Sequence, residues 1–138
     1  MAVELLKPAL DVGIVTTNTD KMLAFYRDVL GFGTEEPISF PGFGTVHRLV
    51  VGESILRLFE PASAPSASAV NDSMYAATGI RYLTLVMRNL DDVIAACREF
   101  GVNVSAEPRE IRPGVVATTI QDPDGNWLEM QGRRPVSH

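Results

Sequence analysis

A single cysteine, Cys97, in a chain of 138 residues rules out an intrachain disulfide framework. It falls in an apolar helical stretch and reads as a core residue rather than a redox group. Aromatic residues make up only 7%, with one tryptophan and three tyrosines, so little stacking surface is available to a ligand site. No apolar run reaches the roughly 18 residues of a membrane helix. The opening "MAVELLKPALDVG" has neither the basic start nor the long apolar stretch of a secretory signal. Basic residues are outnumbered, 12 Lys and Arg against 17 Asp and Glu, for a net charge of -5, and they form no block. That balance argues against nucleic acid and against an anionic membrane surface as partners. The remaining composition, 46% apolar and 21% charged, is ordinary for a globular chain long enough to bury a core. A soluble, cytoplasmic protein is the expectation.

What the sequence does contain is a repeat. "LDVGIVTT" is β-branched and strand-like. Asn18 and Thr19 are good helix caps, "DKMLAFYRDVL" carries a helical apolar stripe, and Gly31 stops it. The order recurs in "IRYLTLVMR", the cap Asn89, "DDVIAACREF" and the stop Gly101. The second helix is one residue shorter. After each helix come extended pieces, near Gly33–Ile38 and near Val102–Ala106, and then a pair of strands. "TVHRLVV" and "SILRLFE" are joined by Gly52 and Glu53, a two-residue hairpin turn. "GVVATTIQ" and "NWLEMQ" are joined through "DPDG". The expected plan is therefore β-α-β-β-β twice. Module one covers about residues 8–61 and module two about 79–132, with a proline- and serine-containing linker at about 62–78. "GRRPVSH", with His138, reads as a frayed tail.

Three stretches, "DVGIVTTNTDKMLAFYRDVLGF", "ILRLFEP" and "IQDPDGNWLEMQ", occur in an order that resembles the vicinal oxygen chelate superfamily. That superfamily includes glyoxalases, bleomycin-resistance proteins and extradiol dioxygenases. The resemblance implies a single α+β domain spanning residues 1–138, in which two tandem βαβββ modules form a half-open, barrel-like sheet around a cavity, often in a homodimer. It also implies four inward strand positions that hold a divalent cation in metal-dependent members. Carried over, these positions are Asp11, Glu60, Tyr82 and Glu129: two carboxylates are kept and two imidazoles are missing.

Glu129 is read on a mainly apolar strand face, shared with Trp127 and Gln131, so it needs a cation, a proton or a hydrogen-bond donor. Asp11, Glu60 and Glu129 are hard oxygen ligands suited to Mg²⁺, Mn²⁺ or Ca²⁺, while Tyr82 is a weak one. Two readings stay open: one divalent metal at Asp11, Glu60 and Glu129, or none, with Tyr82 donating to a carboxylate. The hairpin register pairs Thr45 with Glu60 and His47 with Leu58, which puts His47 on the side of Glu60 as a catalytic or substrate-binding candidate. Trp127 is a second substrate-binding candidate. Asp122 and Asp124 read as turn residues, Tyr26 as packing, and Arg48, Arg57 and Arg81 as solvated. The activity expected first is that of a glyoxalase-like lyase, isomerase or epimerase on a small carbonyl compound, with Glu129, Glu60, Tyr82 and His47 as catalytic candidates. The alternative is a metal-free protein that binds or sequesters a small molecule such as an antibiotic.

Overall fold

The first residues to pair in the computed structural model, which describes residues 1–136, are those of β1 (Val12–Val15). This strand runs parallel to β4 (Ser54–Pro61); β4 pairs antiparallel with β3 (Gly44–Val51), and β3 with the edge strand β2 (Gly33–Phe40). The hairpin between β3 and β4 has the register read from its turn: His47 faces Leu58 and Thr45 faces Glu60. Gly52 sets that register. It occupies the first turn position with φ of +59°, a backbone state that glycine adopts without a Cβ clash.

The second half repeats the plan. Strand β5 (Tyr82–Val86) runs parallel to β8 (Trp127–Arg133), β8 pairs antiparallel with β7 (Val115–Gln121), and β7 with β6 (Arg109–Arg112). The edge strand of this module therefore begins at Arg109, beyond the stretch expected near Val102–Ala106. Val104 makes only an isolated bridge to Ile120. The chain divides into two compact units, residues 1–67 and 68–138, with the division inside the expected linker. Each holds one open four-stranded mixed sheet, so the α+β plan of tandem βαβββ modules is the observed one. His138 lies outside the described residues. No helix among the described residues is long and apolar enough to cross a membrane.

Both helices start where the caps were read. Asn18 and Asn89 take the N-cap positions, although neither side chain makes a capping bond. Helix α2 (Leu90–Phe100) closes on Gly101 in the left-handed state, φ +100°. Helix α1 (Thr19–Leu23) instead widens into a π-helical stretch, Ala24–Val29, with Leu30 N–H reaching back to the Phe25 carbonyl. The segment from Asp20 to Gly31 is one residue longer than that from Asp91 to Gly101, and a π turn is the form a helix takes to house one extra residue.

The cores follow strand alternation. In β4 the buried residues are Leu56 and Leu58, accompanied by Leu49 of β3 and by Met22, Phe25 and Tyr26 of the first helical segment, all 5% exposed or less. In β8 they are Leu128 and Met130, with Ile120 of β7 and Leu90, Ile94 and Cys97 of α2. The helix side of β8 is marked by Gly132, where an added Cβ would lie 2.9 Å from the Leu90 side chain. Each sheet thus has a helix-covered apolar face and an opposite, open face.

Candidate functional site

The parallel strand pairs locate equivalent positions in the two modules. In module one, Val12 faces Leu56 and Gly13 faces Arg57. In module two, Leu83 faces Leu128 and Thr84 faces Glu129. Buried Leu56 and Leu58 flank Arg57 as buried Leu128 and Met130 flank Glu129. Arg57, rather than Glu60, is therefore the counterpart of Glu129. Both point to the open face, and Asp11 and Tyr82, each two residues before the strand residue opposite, share that face with them.

Asp11 and Arg57 are joined directly. Arg57 Nη2 donates to Asp11 Oδ2 at 3.1 Å. Lys7 Nζ donates to both carboxylate oxygens, at 2.7 and 2.9 Å, and the Ile55 backbone N–H donates to Oδ1 at 2.8 Å. The Lys7 ammonium first and the Ile55 amide second hold the Asp11 carboxyl down to about 2; desolvation opposes them, and the Arg57 guanidinium adds a lesser lowering.

Glu60 lies on the other side of the sheet, three residues past Arg57, and half of its side chain is exposed. The expected convergence of Asp11 and Glu60 on one point is replaced by this separation, because an odd step along a strand changes face. His47 does share the side of Glu60, as the hairpin register required, and its Nε2 lies 3.2 Å from Glu60 Oε2. These two residues form a pair of their own, apart from Asp11.

In module two, Glu129 Oε1 accepts from Thr84 Oγ1 at 3.1 Å and from Gln131 Nε2 at 2.8 Å. The need of Glu129 for a partner is thus met by two neutral donors on its own face, and not by Tyr82, which stands half-exposed beside Trp127. Thr119 of β7 lies opposite Glu129, and Gln121 opposite Trp127. The open face of this sheet is therefore polar, with the Tyr82–Trp127 pair at one end, one carboxylate next along the strands, and several amide and hydroxyl groups.

Trp127 is also anchored. Its indole N–H donates to the Asn71 carbonyl at 3.1 Å, which also accepts from Gln121 Nε2 at 3.2 Å. Arg81, expected in solvent, binds the same segment through the carbonyls of Val70, Ser73 and Met74. The end of the linker is thereby strapped to module two. Sequence reasoning missed this because backbone acceptors leave no trace in residue identity. Asp122 serves its turn: Oδ1 accepts the backbone N–H groups of Asp124 and Asn126, both at 2.9 Å.

A divalent ion does not suit this donor set. A ligand position in module one carries a guanidinium, Asp11 is committed to two cations and an amide, and Glu60 faces away. Among the described residues no group of three or more His, Cys, Asp or Glu side chains is placed to hold a metal.

The comparisons agree with this architecture. The family model for the Glyoxalase/Bleomycin resistance protein/Dioxygenase superfamily matches residues 9–130. A glyoxalase family protein from Bacillus cereus superposes with a TM-score of 0.81 at 15% identity, over 95% of this chain and 96% of that one. One from Enterococcus faecalis gives 0.67 at 25% identity, over 88% and 93%. The trypanothione-dependent glyoxalase I of Leishmania major gives 0.69 at 21% identity, over 89% and 84%. No curated protein matches the sequence.

Proposed function

The chain belongs to the Glyoxalase/Bleomycin resistance protein/Dioxygenase superfamily, and we propose that within it this protein is a metal-independent binder of a small molecule. The observation that carries the proposal is Arg57 in the place equivalent to Glu129, bonded to Asp11. Superfamily members often use a divalent metal at such positions, and here a fixed side-chain cation takes part of that space. The metal-assisted form of the glyoxalase-type lyase or isomerase reading would use the ion to polarise vicinal oxygens, and its ligand set is broken at this point.

The ligand face is the open side of the second sheet. Glu129, steadied by Thr84 and Gln131, is a charged acceptor for a cationic or N–H group. Trp127 and Tyr82, opposite each other on the neighbouring strands, offer aromatic surface beside it. The net charge of -5 favours the approach of a cationic molecule. A homodimer belongs to this reading, since members of the superfamily are often dimers.

Calorimetric titration of the purified protein with a metal-free, bleomycin-type cationic aromatic compound tests this. Binding of equal strength with and without chelator is expected, weakened about tenfold or more by Glu129→Gln, in keeping with a charge-assisted contact. A turnover that requires a divalent ion and disappears on chelation would overturn it.

A further inference from the structure

On the open face of the first sheet, one carboxylate faces two cations. Asp11 bonds both Lys7 and Arg57, so this cluster keeps one positive charge in a chain whose net charge is -5. The other arginine of this face, Arg48, is neutralised by Glu35 at 2.8 Å. Among the described residues Arg57 spends its guanidinium on Asp11 alone, and the remaining N–H groups of the fork are the geometry that receives a carboxylate or phosphoryl oxygen pair.

The surroundings leave room for such a group. Directly opposite Arg57 is Gly13, at which an added Cβ would meet nothing within 4 Å. Gly13 has no positive φ, so its backbone does not call for glycine; what the glycine provides is space beside the guanidinium. Ile55 and Phe59, two residues either way along β4, lie on the same side and are part-buried. One cation with unused donors, an open gap and apolar flanks together describe a place for an anionic head on an apolar body.

We propose that Arg57, tethered by Asp11 and backed by Lys7, is an anion subsite on module one that takes the carboxylate or phosphoryl group of a small molecule, with Gly13 providing the space for it. The proposal rests on the metal-independent reading, since a metal ion at Asp11 would compete with Arg57 for the same carboxylate.

The test is nuclear magnetic resonance on the full chain with ¹⁵N-labelled arginine side chains, at constant ionic strength. Benzoate and inorganic phosphate are titrated separately, with chloride as control. The Arg57 side-chain signal shifts saturably with at least one of the two oxyanions and not with chloride, and whichever binds more tightly identifies the head group. Gly13→Leu, which fills the gap without altering charge, weakens binding at least tenfold. Arg57→Gln abolishes it, and Arg48→Gln leaves it unchanged. A shift that never saturates, that chloride reproduces, or that survives Gly13→Leu overturns the subsite. Mn²⁺ added to the same sample separates the two failures. Broadening around Asp11 counts against the metal-independent reading itself, whereas absence of both broadening and anion binding counts against the subsite alone.

Discussion

Arg57 and Glu129 hold the same station in their modules, each between two buried apolar residues of the last strand and each opposite the middle of the first, yet they carry opposite charge. The two open faces therefore differ in electrostatic sign where the repeat would make them alike. Module one presents a guanidinium balanced on a carboxylate, and module two a carboxylate balanced on neutral donors.

Asp11 makes the acid stability of module one measurable. Its carboxyl is lowered to about 2 in the folded chain, from about 3.9 in an unfolded one. A lowered group contributes stability that is complete above the unfolded value and is lost as pH falls towards the folded one. Thermal melting followed from pH 5 to pH 2 is expected to show the wild type losing part of its advantage over Asp11→Asn across that window, most of it below pH 4. Parallel melting curves for the two proteins over the whole range would contradict the ion pair.

Neighbouring residues of β8 separate binding from folding. Met130 is fully buried on the helix side, so Met130→Ala removes core contacts and costs about 2–5 kcal/mol in a urea titration. Glu129→Gln, one residue away on the open face, keeps the volume and a hydrogen-bonding amide. It changes stability by less than about 1 kcal/mol while weakening the ligand. The opposite pattern would place Glu129 in the structural core.

Cys97 is fully buried on α2, and burial pushes its thiol up to about 11. The thiolate is the reactive form, so the native protein at pH 8 is expected to resist a disulfide-exchange reagent and to release one equivalent of thiol once unfolded in urea. Rapid labelling of the folded chain would show that α2 opens readily.

Much of the fold was readable because its signals are local. The repeat, both helix starts, the glycine stops and the β3–β4 register follow from caps, turns and alternation. The site was less readable for two reasons. The resemblance pointed to an acid, and Glu60 is the acid at the end of its strand. Position, however, is decided by register, and setting "ILRLF" beside "WLEMQ" pairs Arg57 with Glu129 through their flanking Leu residues and Met130. That signal was present in the repeat itself. Arg81 was a different case. Its partners are the carbonyls of Val70, Ser73 and Met74, which any residues in those places would offer, so no side chain announced them.

The π-helical stretch at Ala24–Val29 bears on how such a pair of modules can diverge. An additional residue in an ordinary helix would rotate everything after it by about 100° and swing the later apolar side chains out of contact. Here the wider turn takes up the surplus, and Phe25 and Tyr26 stay enclosed. One copy of a duplicated unit can in this way tolerate an insertion without disturbing the strands downstream, and so keep its architecture while its chemistry drifts away from that of its twin.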